Sequence, residues 1–416
     1  MTSLDRNSIT PEALRNEATR LRAELTETID QIRQQPGYET FLTLPTYEDV
    51  QKAVTPDRPL VYLLTTTAGS LALVVTANNG QSDIHPIWLN DFTETQLNEL
   101  LKVWFAAYNN SRNDHQTWLN TIDQATQQLW EPLIGPMVQQ MQDLGFDRIT
   151  LIPTGYLSLL PLHAAWIEDP SKPTGRRYAL DHLHITYAPN AKSLTAAKEI
   201  ADRVQANSIL AIDNPNQNLP SSEQEVQAAI ATFQNPTVIR HDQATVEQVR
   251  SQLPNVAIAH FSCHGKAELT DPLTSGLDMS DGRLTLKDIF ALNLAEGDRG
   301  LRLAILSACE TGLIGTENAD EAISLPTGLL QAGVAAVVAS LWSVSDLSTM
   351  LLLSKFYDLW RKDGLEPSQA LRQAQIWLRD STAGEIAAYG GFFTLTPTER
   401  QYAHPFHWAA FSYTGI

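Results

Sequence analysis

Two short runs carry the residue types of thiol chemistry. HFSCHG (260–265) puts His264 and Gly265 at the end of an apolar stretch, and LSACETG (306–312) does the same for Cys309. A thiol attacks a carbonyl only as the thiolate, so it needs a neighbour that takes its proton, and imidazole does so near neutral pH. The two residues stand 45 positions apart. That is room for one hairpin, one short helix and the next parallel strand, so adjacent strands can hold imidazole and thiol side by side. Gly265 has no Cβ, and its N–H can approach a substrate carbonyl closely. Together with the N–H of Cys309 it would form an oxyanion hole, each donor of which is worth about 3–4 kcal/mol in acyl transfer.

The cysteines number two, Cys263 and Cys309, too few for a disulfide framework and in keeping with a reducing compartment. Strand alternation turns Cys263 to the face opposite His264, into the core. His260 shares the face of His264 one repeat deeper and reads as a hydrogen-bonded sheet residue. A zinc site from His260, Cys263, His264 and Cys309 fails on that alternation and on the lack of a CxxC pair. Neither a GxxxxGK[ST] loop nor a dinucleotide fingerprint occurs. No metal and no other cofactor is expected.

The elements that must position these residues begin at residue 208, where strands alternate with helices. SILAI (208–212), TVIR (237–240), VAIAHFS (256–262), LRLAILSA (301–308) and VAAVVASLW (334–342) are near-continuous apolar runs. Strands of that kind are buried on both faces, which predicts an α/β fold with a mostly parallel sheet flanked by helices. Functional groups then gather beyond the carboxyl ends of the strands. SGLDMSDGRLTL (275–286) reads as a hairpin. Upstream, the sequence predicts a charged helix over 11–34, a hairpin from 60–66 and 70–76, and amphipathic helices over 93–108 and 116–144. A strand over 148–153 and a candidate strand over 178–187 follow. We divide the chain into an N-terminal α+β accessory region (1–147), a connecting segment or degenerate half (148–205) and a catalytic-type domain (206–416).

The 29 Lys and Arg against 47 Asp and Glu give a net charge of -18. Such a surface repels nucleic acid and anionic membrane, and leaves basic peptides or protein segments as ligands. The first residues are charged and lack an apolar core of the secretory type. Residues 322–345 carry no charged residue but contain Pro326, Gly328 and Gly333, which read as a helix followed by a strand, not a membrane span. A soluble cytoplasmic protein is expected.

His before Cys at a spacing near fifty is also the order of the caspases. HFSCHG, LSACETG, GLLQAGVAAVVASLWSVSD (328–346) and HPFHWAAFSYTG (404–415) resemble the CHAT domain family of caspase- and separase-like cysteine peptidases. LIPTGYLSLLPLHA (151–164), YAPN (187–190) and the NP…LPSSEQEV stretch (214–226) extend the resemblance to roughly 150–416. It implies a caspase-like fold, a His264–Cys309 dyad and endopeptidase activity on protein substrates, with a regulatory protein as a possible further partner. From Leu303 through Ser354 there is no Lys or Arg, whereas Glu310 and Asp346 fall there. An acidic P1 side chain would need a guanidinium, so a basic P1 residue, Arg or Lys, is expected. Asp346 would read it, as the LWSVSD motif resembles its separase counterpart, with Trp342 and Glu310 completing the substrate-binding set. Asp346 is also placed to N-cap the following helix. The alternative is a catalytically silent or partner-activated interaction module, with the 310–325 loop as its mobile element.

Overall fold

The computed structural model describes residues 11–34, 46–78, 81–268, 271–297, 299–307, 324–390 and 396–416. The chain divides into two units, residues 1–50 and 51–416. The first contains the helix Pro11–Arg33, whose charged surface includes Arg20–Glu24 and Arg33–Asp30 pairs at 3.0 and 3.2 Å.

The second unit is organised by strands. In chain order they are β1 (Leu60–Thr66), β2 (Gly69–Asn78), β3 (Gln81–Leu89), β4 (Arg148–Pro153), β5 (Trp166–Glu168) and β6 (Arg176–Tyr178). Then come β7 (His184–Tyr187), β8 (Ile209–Asp213), β9 (Thr237–Arg240), β10 (Ile258–Ser262) and β11 (Gly265–Lys266). The series ends with β12 (Gly276–Met279), β13 (Gly282–Thr285), β14 (Leu303–Ser307), β15 (Ala336–Ser340) and β16 (Phe411–Gly415). Eleven of these form one sheet in the order β3-β2-β1-β4-β7-β16-β15-β14-β10-β8-β9, while β11-β12-β13 and β5-β6 form small sheets of their own.

Within the large sheet the antiparallel neighbours are β1–β2, β2–β3 and β15–β16; the other pairings are parallel. The expected mostly parallel α/β sheet is therefore present. Because β16 runs against β15, it separates two parallel blocks of opposite direction. The block β15-β14-β10-β8-β9 directs its carboxyl ends to one edge, where His264 lies. Strands from all three segments distinguished in the sequence hydrogen-bond within this one sheet.

Alternation sorts the two faces. Ala259, Phe261 and Cys263 join an apolar cluster with Leu210, Ile212, Leu277, Leu284, Leu325 and Leu329, whereas Ile258 belongs to the cluster on the other face. Cys263 is 2% exposed, as the alternation predicts.

Three local differences from the sequence reading have physical causes. The helix expected over 116–144 is broken into His115–Gln128, a π turn Trp130–Ile134 and Gly135–Asp143, because Pro132 and Pro136 supply no backbone N–H to an α ladder. The strand expected over 178–187 begins as a helical turn, Ala179–His182, held by the Tyr178 N–H donating to Asp181 Oδ2 at 2.9 Å. β3 went unrecognised because Pro86 interrupts it. As an edge strand it tolerates the proline and leaves Ile84 and Trp88 50% and 69% exposed.

Candidate active site

The site is built where β8, β10, β14 and β15 end. β10 and β14 are paired in register, Ser262 opposite Ser307, and the Cys263 N–H donates to the Ser307 carbonyl at 3.4 Å. His264 follows Ser262 by two residues, and Cys309 follows Ser307 by two. Cys309 and Glu310 lie outside the described residues, as does most of the 310–325 loop.

His264 is held on its backbone side by the small sheet. Its carbonyl accepts the Asp278 N–H at 2.8 Å, and Gly265, the first residue of β11, pairs with Leu277 of β12. β12 lies tightly on β13: a Cβ at Gly276 would collide with the Leu284 carbonyl. The imidazole is partly exposed, and its Nε2 lies 2.8 Å from Asn218 Oδ1.

Asn218 stands in the loop 214–221 that follows β8, and β8 is the neighbour of β10. Asn214 opens the loop at φ 46°, a left-handed conformation that asparagine tolerates well. Its N–H donates to the Ser262 carbonyl at 2.9 Å. Its Oδ1 accepts the N–H groups of Asn218 and Leu219 at 2.9 and 3.1 Å, and its Nδ2 donates to the Leu219 carbonyl at 3.0 Å. Gln217, also left-handed at φ 57°, donates through Nε2 to Asp242 at 2.8 Å. The far end of the loop is fixed by the Ser221 N–H, which donates to Asp346 Oδ2 at 2.8 Å. A single loop thus touches both His264 and Asp346.

Asp346 is the first residue of the helix Asp346–Tyr357. Ser345 occupies the N-cap position expected for Asp346, and it makes no side-chain cap bond. The Asp346 carboxylate instead spans to Ser221, at the front of the helix Ser222–Ile230. Trp342 is 1% exposed, donates its indole N–H to the Phe406 carbonyl at 3.1 Å, and lies edge-on to Trp104 and Trp118. It belongs to the core, where the sequence had suggested a pocket wall, because the chain from Trp104, Trp118 and Phe406 covers that strand exit.

Beneath the site, buried polar groups lie close to one another. Asp213, the last residue of β8, accepts from Ser222 Oγ at 2.7 Å and pairs with Arg240 at 3.1 Å. His260, fully buried on β10, stands between Tyr357 Oη at 3.1 Å and Glu225 Oε1 at 2.9 Å. Burial and the nearby Glu225 charge push the Tyr357 hydroxyl well above its ordinary range, so it stays a donor. His260 is thus consumed by structure. Among the described residues no cluster of three or more His, Cys, Asp or Glu could hold a metal ion, and no helix is long and apolar enough to cross a membrane.

Asn218 is the residue that sequence reasoning passed over. It stood within the NP…LPSSEQEV stretch, and the usable signal was a polar loop leaving the strand next to the one that carries His264.

The fold has relatives of known structure. The crystal structure of the Saccharomyces cerevisiae separase–securin complex matches with a TM-score of 0.62 at 11% identity, over 94% of this chain and 32% of that one. A second crystal structure of the same complex gives 0.60 at 11% identity, over 94% and 33%. This chain therefore spans about a third of the separase chain it matches. The Arg-specific cysteine proteinase gingipain R aligns over 71% of this chain and 67% of its own at 9% identity, with a TM-score of 0.42. No curated protein sequence matches. The fold is that of the separase structures, and the family model described as the CHAT domain matches residues 123–415, so the chain belongs to the CHAT domain family.

Proposed function

We propose that the chain is a cysteine endopeptidase that cuts protein substrates after a basic residue, Arg or Lys. Cys309 is the nucleophile. His264 takes its proton and later returns it to the leaving amine, and the N–H groups of Gly265 and Cys309 receive the oxyanion. The observation that carries this reading is the register of β10 on β14: from the paired Ser262 and Ser307, His264 and Cys309 each follow after the same two steps of chain. The family match and the separase-like fold support the reading at the coarser level of a peptidase-type scaffold.

Asp346 is the selector for the basic P1 side chain, with Glu310 adding negative charge beside the nucleophile. One oxygen of Asp346 is engaged by Ser221, and the other, with no hydrogen-bond partner among the described residues, would meet a guanidinium or ammonium. With a net charge of -18, the protein as a whole also draws basic segments toward itself. Substrate protein and regulatory partner both approach this edge of the sheet.

The test is labelling of the purified wild-type protein and its Cys309→Ala variant with an electrophilic peptide probe bearing Arg at P1, read by intact mass. One adduct per wild-type molecule and none on the variant is the expected result. Equal labelling of both proteins, or adducts only with an Asp-P1 probe, would overturn it.

A further inference from the structure

We propose that Asn218 is a positioning residue for His264, fixing which ring nitrogen carries the proton. The inference rests on the reading of His264 as the general base. Asn218 Oδ1 accepts the Nε2–H of His264 across 2.8 Å. That bond leaves Nδ1 without a proton, and so Nδ1 is the nitrogen that takes the proton from the Cys309 thiol. When the Cys309 Sγ–carbon bond forms and the scissile C–N bond breaks, the same proton passes from Nδ1 to the departing amine. Water then cleaves the thioester: its hydroxide joins the acyl carbon while Nδ1 takes its proton, the Sγ–carbon bond breaks, and Nδ1 passes that proton to sulfur, restoring the thiol and the neutral ring. Nε2–H stays on Asn218 throughout.

The construction of the loop supports this role. A lone bond between an exposed amide and a partly exposed imidazole contributes little to stability. Here the residue that makes it is held by its own N–H to Asn214 Oδ1, and Asn214 is in turn tied to the Ser262 carbonyl, two residues before His264. Strand end and loop are therefore clamped together at the point where the imidazole leaves the sheet. Two left-handed non-glycine residues, Asn214 and Gln217, lie within four positions of Asn218, a backbone cost borne where geometry must be set.

An amide is also chemically distinct from a carboxylate here. It orients the ring without adding a charge to stabilise imidazolium. Asn218→Asp would keep an acceptor at the same place and add a negative charge beside the ring. Asn218→Ala would remove the acceptor and let both neutral tautomers form.

The experiment uses full-length protein labelled with nitrogen-15 at histidine, with His264 assigned through His264→Gln. Long-range nitrogen–proton spectra read its tautomer, and mass spectrometry of iodoacetamide adducts reads the Cys309 thiolate against pH. The wild type is expected to hold Nε2–H and a bare Nδ1. Asn218→Ala is expected to mix the tautomers and slow alkylation near neutral pH by about tenfold, the size of a single hydrogen bond. Asn218→Asp is expected to restore the Nε2–H form. A wild-type ring protonated on Nδ1, or spectra and alkylation unmoved by both Asn218 variants, would overturn the proposal while His264→Gln still alters alkylation. If alkylation is the same in wild type and His264→Gln, the dyad itself fails, and the positioning role falls with it.

Discussion

Ser262 on β10 and Ser307 on β14 are direct register partners in a parallel pair. Because parallel strands advance together, residues equally far beyond such a pair start from the same edge of the sheet. That relationship links two short sequence runs 45 residues apart to one place in the fold. Neighbouring strands add to the same edge: β8 delivers the loop that bears Asn218, and β15 leads to Asp346.

The bond Asp346 makes to Ser221 and the P1-reading role proposed for it can be separated by substitution. Asp346→Asn keeps an oxygen for the Ser221 N–H but removes the charge that would meet a basic side chain. For an Arg-P1 peptide, kcat/KM is expected to fall about 10²-fold, the scale of a charge-assisted hydrogen bond, with the His264 nitrogen spectrum unchanged. Asp346→Ala also releases Ser221, and so is expected to disturb the His264 signals as well. Steady-state kinetics on matched Arg- and Ala-P1 peptides check the first claim. Undiminished selectivity for Arg in Asp346→Asn would remove Asp346 from the specificity pocket.

Trp342 should behave as a core residue. Trp342→Ala deletes a fully buried indole, its bond to the Phe406 carbonyl and its edge contacts with Trp104 and Trp118. Large-to-small changes of this kind cost about 3–5 kcal/mol of unfolding free energy. Urea unfolding followed by circular dichroism measures it. A loss below about 1 kcal/mol would mean that the site is open enough for solvent to replace the ring.

Buried histidines make stability depend on pH. Burial holds His163 and His407 down at about 4, and burial with the charges of Arg58, Arg372 and Arg148 holds His184 down at about 3. In the unfolded chain these imidazoles protonate near 6.5. As pH falls below 6.5 the unfolded state binds protons that the folded state refuses until about 4 or lower, so stability is full above 6.5 and drops through that window. His163→Asn removes one such group and is expected to flatten the decline by up to about 1.4 kcal/mol per pH unit. Urea midpoints at pH 7, 6 and 5 supply the comparison. Parallel declines in the two proteins would contradict the assignment.

The legible parts of the molecule were those with local patterns. Apolar runs marked β8, β10, β14 and β15, the Ser-Asp-Gly turn marked the β12–β13 hairpin, and period-two alternation put Cys263 in the core. Trp342 was read as a pocket wall because sequence places it at a strand exit, while the helices that bury it lie more than two hundred positions away. β3 lost its pattern to Pro86 and to a half-exposed face. The role of Asn218 depends on β8 lying beside β10, a fact of strand order that no local window contains.

The central claim is that His264 and Cys309 act together on a peptide bond beside a basic residue. Its most direct measurement is turnover of fluorogenic peptides with Arg, Lys, Ala or Asp at P1, by wild type, Cys309→Ala and His264→Ala under the same conditions. The account predicts cleavage after Arg and Lys by the wild type, with kcat/KM falling at least about 10³-fold in each variant, as for catalytic residues that act as a unit. Cleavage that survives Cys309→Ala, or turnover confined to the Asp peptide, would contradict it.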